Sequence, residues 1–166
     1  LIEAFALLVQ KRGKQFNLHI AGEGDLRKSL EDQISSLNLV DCAFLHGHVS
    51  NPYPLLKQAD LMVLPSRYEG LPNVMLEAML CHCPVLATNT EQGAGEYLRQ
   101  YPLGDLVPIG DIQLLLDRME NCFDQQEKWK ARAAVAYHHV CEHHDLDRWI
   151  QRVSGILLRA AETKVP

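Results

Sequence analysis

The sequence predicts an α/β fold: a Rossmann-like parallel sheet flanked by helices, with its first strand missing upstream. Three observations lead there. Short apolar runs of strand length alternate with amphipathic stretches of helical period. That alternation implies parallel βαβ units with helices on both faces. The chain also opens inside a helix, at Leu1-Ile2-Glu3-Ala4-Phe5-Ala6-Leu7-Leu8, with no methionine, cap or strand before it. Such a helix normally joins strand one to strand two, and in a doubly wound sheet the first strand is central. The expectation is a single domain over residues 1–166, cut from something longer. Its central strand lies upstream, or its sheet closes in some other way.

The elements follow in order. Leu1, Ile2, Phe5, Leu8 and Val9 repeat at helical spacing, and Lys11-Arg12-Gly13 ends that helix. Residues 16–21 are apolar enough for a strand. Gly22-Glu23-Gly24 makes a tight turn, with Asp25 as the expected N-cap of a helix carrying Leu26, Leu30, Ile34 and Leu37 on one face. A strand over 42–45 leads to His46-Gly47-His48-Val49, and Asn51-Pro52-Tyr53-Pro54 starts a short helix. A third strand over 61–64 hands the chain to a helix over 72–80, and a fourth strand occupies 84–88. A loop and short helix span 93–98. Residues 103–109 hold a brief edge strand whose pairing Pro108 limits. Asp111 caps a helix with Leu114, Leu115, Met119 and Phe123. Two more helices are expected over 126–140 and 146–161, the second with Leu146, Trp149, Ile150, Val153, Ile156 and Leu157 in period.

Bulk properties exclude several classes. A hydrophobic share of 47% with 22% charged residues rules out a disordered or fibrous chain. The formal charge of -5 argues against a nucleic-acid partner, which normally meets a basic face. No apolar run approaches the roughly 20 residues that span a bilayer. The five cysteines, an odd number without small-scaffold spacing, read as free thiols in a reducing compartment.

The chemistry gathers where the third strand meets its helix. Pro72 is suited to the first helical position, and Gly70 lets the backbone turn sharply and a ligand approach. The Asn73 and Val74 amides then point out of the helix unpaired, at the positive end of its dipole. A phosphate or pyrophosphate is the natural occupant; a self-capped helix facing water is the alternative. Glu69 and Glu77 flank these amides, and a carboxylate accepts two hydroxyl donors at once. Glu77 lies among Val74, Leu76, Ala78 and Met79, where a carboxylate should have a partner.

Glu69-Gly70-Leu71-Pro72-Asn73-Val74-Met75-Leu76-Glu77-Ala78-Met79, followed by Pro84-Val85-Leu86-Ala87-Thr88, resembles the retaining, nucleotide-sugar-dependent glycosyltransferases of GT-B fold, family 4. Glu69 and Glu77 form the E-x7-E pair. Ala21-Gly22-Glu23-Gly24, Phe44-Leu45-His46-Gly47-His48-Val49 and Gly104-Asp105-Leu106-Val107-Pro108-Ile109-Gly110-Asp111 resemble further family segments in the same order. The resemblance covers nearly the whole chain and corresponds to the second, donor-binding domain of a two-domain enzyme.

It implies transfer of a hexose or N-acetylhexosamine from a nucleotide diphosphate sugar, with a UDP-sugar expected, to a glycan or lipid-linked acceptor. Glu69 would sit at the transferred sugar. Asn73 and Val74 would hold the pyrophosphate and Glu77 the ribose. The backbone around His48 and Val49 would read the base. Gly22, Gly24, Gly70, Leu71 and Pro72 complete the implied donor site. No cofactor or metal is implied beyond the substrate itself. The implied location is cytoplasmic, with peripheral association of the full-length enzyme at the inner face of a membrane.

Three departures stand out. His82 occupies a usual glycine position in Cys81-His82-Cys83-Pro84, and Gly93-Ala94-Gly95-Glu96 lacks a proline before its glutamate. The family's phosphate-neutralising arginine and lysine, which precede the opening helix, are absent from these residues, as is the acceptor domain. A nucleotide-sugar epimerase of related fold and a non-catalytic α/β docking module are the other readings.

His139 and His143 have the i, i+4 spacing of two metal ligands, but no acidic or Cys-x-x-Cys frame completes a site. His138, His139, Cys141, His143 and His144 read as a solvated helix end. Cys81 and Cys83 read as packing at a helix end. Gly22-x-Gly24-x-x-Arg27 lacks the third glycine of a dinucleotide fingerprint.

Overall fold

Helices and strands alternate along the chain in the computed structural model, which describes residues 1–144 together with Ile150 and Ser154. Most of the helix expected over 146–161, Trp149 included, lies outside the described residues. The order is α1 (Ile2–Arg12), β1 (Leu18–Ala21), α2 (Arg27–Ser36), β2 (Ala43–Gly47), α3 (Tyr53–Gln58), β3 (Met62–Leu64), α4 (Asn73–Leu80), β4 (Val85–Thr88), α5 (Ala94–Gln100), β5 (Asp105–Val107), α6 (Ile112–Asp124) and α7 (Gln126–His143).

Every pairing between these strands is parallel. β1 lies beside β2 with Leu18 opposite Ala43. β4 lies between β3 and β5, with Met62 opposite Val85 and Leu86 opposite Asp105. These are two sheets, β1-β2 and β3-β4-β5. The sheet therefore does not close in another way: among the described residues, β1 and β3 each have one neighbouring strand. A doubly wound sheet runs 3-2-1-4-5-6. The observed pieces fit that order with its central strand left out.

One helical layer spans both pieces. Phe5 and Leu8 of α1 share a core with Leu115, Leu116 and Met119 of α6, with Leu86 of β4 and Val107 of β5, and Ile20 and Val63 pack against it. On the other face Leu56, Met75, Met79, Leu98 and Val140 cluster around Val85 and Ala87. Successive β4 residues thus enter opposite cores, as a period of two requires. All four β4 residues are buried, which is why that strand reads as an unbroken apolar run ending in threonine.

Helix ends follow local chemistry. Asp111 caps α6 as expected, its carboxylate accepting from the Leu114 amide at 2.9 Å. Asp25 does not cap α2; the N-cap is Leu26, with no side-chain bond. A turn from the Arg27 amide to the Gly24 carbonyl carries the chain into that helix. Arg27 then spans Glu23 at 2.8 Å and Glu31 at 3.1 Å. α2 and α4 both end in left-handed residues, Asn38 at φ 56° and His82 at φ 57°. In α4 the His82 amide donates to Met79 O and the Cys83 amide to Ala78 O, a Schellman pattern that normally selects glycine. That geometry accounts for the glycine that the resemblance leads one to expect at this position. Here the His82 ring stacks on Tyr137 at 4.2 Å.

Charge pairs fasten α1 to α6. Glu120, though only 8% exposed, receives Lys11 at 2.6 Å and Arg12 at 3.0 Å, and Arg12 also reaches Asp124 at 2.6 Å. Hydrogen bonds from Lys11 and then Arg12 hold the Glu120 carboxyl below its ordinary value of 4.5, and Arg12 lowers Asp124. Groups with depressed folded pKa values stabilise the fold above their unfolded values and lose that contribution as pH falls through the folded ones. The thermal midpoint should fall on acidification below about pH 4.5, and Glu120→Gln should lower it at neutral pH and flatten that acid decline. Melting curves followed by circular dichroism from neutral to acid pH measure both.

Candidate functional site

The β3–β4 ladder ends at Leu64 opposite Ala87. Beyond it a side chain takes over. The Thr88 hydroxyl, on a buried residue, donates to Leu64 O at 3.3 Å and to Ser66 O. The Ser66 hydroxyl donates in turn to Glu69 Oε1 at 2.7 Å. The chain then turns through Gly70 and Leu71 into α4.

Pro72, expected as the first helical residue, is instead the N-cap of α4, which starts one position later at Asn73; it has extended φ −77° and ψ 125°. It still supplies no N–H where none could be paired. The Met75 amide closes the first turn onto Pro72 O at 3.1 Å. No side chain caps α4, so the helix is not self-capped. The Asn73 and Val74 amides have no acceptor among the described residues. Glu77 is half-buried and four positions after Asn73, hence on the same helix face. No hydrogen bond or ion pair reaches its carboxylate among the described residues, contrary to the partner that its setting predicts.

A second turn backs this corner. Gly93, at φ 66°, lies so close that a Cβ there would stand 2.1 Å from Gly70 O and 2.3 Å from Glu69 O. The turn from β4 to α5 is itself cross-braced. The Thr90 hydroxyl accepts from the Gly95 amide at 3.1 Å and donates to Gln92 O at 2.7 Å. Arg99 reaches Thr90 O at 2.8 Å, Glu91 O at 2.7 Å and the Asn89 side chain. Ser66, Thr88 and Gly93 were not among the sequence candidates. Their signal was the small-residue spacing of the two turns, which acquires meaning only once the strands are paired.

Gly22, Gly24, His48 and Val49 form a separate group at the carboxyl ends of β1 and β2. The Gly22 amide donates to Gly47 O at 2.7 Å, and Gly47 takes φ 67°. The Glu23 carboxylate covers Gly47 and is neutralised by Arg27. A cleft of about 410 Å³ runs along residues 22–27, with Ile20, Leu30 and Leu45 as its apolar wall. His48 is exposed and Val49 half-buried. No hydrogen bond, ion pair or ring contact joins this group to the Glu69–Glu77 corner among the described residues. A cleft of about 460 Å³ near Lys57, Asp60 and Lys130 lies at the amino ends of β3 and β4, away from both groups.

At the end of α7, His138, Cys141, His143 and His144 are exposed, as expected of a solvated helix end, and His139 is half-buried. His139 stacks on His143 at 4.1 Å and meets Tyr101 at 4.4 Å, and Tyr97 Oη lies 2.9 Å from His144 Nε2. Among the described residues, no group of three or more His, Cys, Asp or Glu could hold a metal ion. Cys83 is buried at the end of α4, as expected, and burial pushes its thiol up to about 12.

The family described as "Glycosyl transferases group 1" matches residues 1–139. The chain belongs to the group 1 glycosyltransferases. It is 30% identical over 131 residues to the N-acetylgalactosamine-N,N'-diacetylbacillosaminyl-diphospho-undecaprenol 4-alpha-N-acetylgalactosaminyltransferase of Campylobacter jejuni, covering 79% of this chain and 35% of that protein. The crystal structure of Anabaena HepE in complex with UDP superposes with a TM-score of 0.83 at 26% identity, covering 96% of this chain and 44% of that one. At 22% identity, the C-terminal domain of a group 1 glycosyltransferase from Francisella tularensis shares the fold, with a TM-score of 0.73 over 87% of this chain and 77% of that domain. The chain spans less than two thirds of the length of the curated relatives it matches. Its fold is that of GT-B glycosyltransferase C-terminal domains.

Within this glycosyltransferase domain, Gly93 has no room for a side chain and already takes a positive φ. Gly93→Ala should cost about 2 kcal/mol or more, since it adds a backbone clash to left-handed strain. Urea denaturation of the two proteins measures that loss.

Proposed function

We propose that the chain is the donor-binding half of a retaining, family 4 glycosyltransferase. The full-length enzyme moves a hexose or N-acetylhexosamine from a UDP-sugar to a glycan or lipid-linked acceptor. The supporting observation is the start of α4: two unpaired amides with a carboxylate on either side, one held by Ser66 and one left open. In this reading the Asn73 and Val74 amides take the pyrophosphate and Glu77 accepts the ribose hydroxyls. Glu69 faces the transferred sugar, orients it and meets positive charge at the anomeric carbon. Gly22 and Gly24 keep the first turn low, and the backbone at His48 and Val49 reads the base. Gly70, Leu71 and Pro72 bring main chain close to the donor. As the glycosidic bond to the donor breaks, charge grows on the departing nucleotide, where a helix N-terminus and its amides stabilise it. This chemistry uses the nucleotide sugar alone and calls for no metal.

Among the described residues β1 and β3 each have one neighbouring strand; we assign one further parallel strand between them to the preceding part of a two-domain enzyme whose other domain binds the acceptor. The Campylobacter relative's lipid-linked substrate supports a place at the inner face of a membrane, reached from the cytoplasm. No helix among the described residues is long and apolar enough to cross a membrane.

Titrating UDP into the 166-residue chain should shift the Asn73 and Val74 amide resonances, and Glu77→Ala should weaken UDP by about tenfold in calorimetry. Unmoved resonances would count against the reading and for a docking module. In the full-length protein, Glu69→Ala should cut sugar transfer by about a hundredfold. Residues 1–166 alone should bind donor and transfer nothing. Transfer by that fragment, lost in Glu69→Ala, contradicts the two-domain reading.

A further inference from the structure

We infer that Ser66 and Thr88 are positioning residues for Glu69, holding its carboxylate off the start of α4 and presenting one oxygen to the donor sugar. This rests on the donor-site reading above.

A glutamate three residues before an N-cap is long and flexible enough to fold onto the free amides of its own helix. An acidic group is favoured there by the dipole. Doing so would block the anion site. In the structure it does not happen: Glu69 Oε1 accepts from Ser66 Oγ at 2.7 Å, and no side chain caps α4. Ser66 can hold Glu69 only if its own backbone is fixed, and it lies beyond the last β3–β4 pair. Thr88 supplies that restraint by sharing its hydroxyl proton between the Leu64 and Ser66 carbonyls. Gly93 supports the Glu69 and Gly70 carbonyls from the other side. The carboxylate is therefore tied through Oε1, while Oε2 keeps its lone pairs for a sugar hydroxyl or a developing positive charge. Thr88 touches no ligand in this scheme. It acts through Ser66, and Ser66 through Glu69.

The roles divide by ligand part. UDP alone tests the amides, Glu77 and whether Glu69 is held clear of them; only the sugar tests the free oxygen of Glu69. Calorimetry on the full-length protein with UDP, UDP-glucose and UDP-N-acetylglucosamine separates them. The parent should bind at least one of the sugar nucleotides more tightly than UDP. Ser66→Ala should weaken UDP by about fivefold to tenfold, because Glu69 is then free to fold onto the amides, should reduce the sugar advantage as well, and should add nothing in a Glu69→Ala background. Thr88→Val should reproduce part of the loss, and Thr88→Ser, which keeps the hydroxyl, should restore it. An unchanged sugar advantage in Ser66→Ala overturns the inference while leaving the donor site intact. A loss of UDP affinity in Ser66→Ala that persists in the Glu69→Ala background overturns it in favour of a merely structural Ser66. A parent that does not bind UDP, or that gains nothing from the sugar, removes the donor-site reading and the inference with it.

Discussion

Parallel pairing places successive strand ends side by side, and the candidate site depends on that constraint. Because β3 and β4 run the same way, the turn after each emerges at the same end of the sheet. Each turn must then lead into a helix on the same face, since α4 and α5 share one core. Two sharp turns cannot both occupy that edge unless one yields volume, and Gly93 does so against Glu69 and Gly70. The left-handed φ of Gly93 and the bracing of Asn89 and Thr90 by Arg99 follow from the same crowding. A helix start with free amides is common; this one is made stiff by its neighbour in the sheet.

How much of this was readable beforehand depended on range. The corner itself is local: Gly70, Pro72 and the two glutamates fix a turn, a helix start and a pair of acceptors within nine residues, and all were legible. Asp111 was legible too, because a cap acts on an amide three residues away. Asp25 had the same appearance and failed because Arg27, pairing with Glu23 and Glu31, offered a competing arrangement. Pro72 moved by one position for a smaller reason: its extended ψ suits an N-cap as well as its fixed φ suits the first turn. Ser66, Thr88 and Gly93 were illegible for a different cause. Their partners are defined by which strand lies beside β3, and no local pattern states that. The same holds for the contacts of His139 with Tyr101 and of His144 with Tyr97, which depend on where α5 lies.

The two sheets also change the meaning of the opening helix. α1 is not a stray first element but part of a layer that reaches across the gap, with Phe5 and Leu8 packed in a core bordered by Ile20 on one side and Val63 on the other. Its ion pairs to α6 tie that layer together at its far end. The two sheet pieces are thus held by helices and not by strand hydrogen bonds. The apolar face common to both pieces keeps their order, which is why the 3-2-1-4-5-6 sequence can be recognised across two separate sheets.

Electrostatics sets the remaining condition on the corner. A carboxylate about 4 Å from a phosphate charge is opposed by about 4 kcal/mol at an effective dielectric near 20. A helix terminus returns about 0.3–1 kcal/mol for a favourable charge, and up to about 2 kcal/mol when partly buried. The amides of α4 cannot offset even one misplaced glutamate on those terms. Two glutamates are compatible with a pyrophosphate only if each is kept at a distance. Glu77 is kept so by the helix, one turn beyond Asn73. Glu69 sits in a loop and has no such restraint except the Ser66 hydroxyl. Arg67 is the one cation between Ser66 and Glu77, exposed and without an ion pair among the described residues. In the proposed donor site, a hydrogen bond that is modest by itself therefore keeps the helix start open to an anion rather than to the protein's own carboxylate.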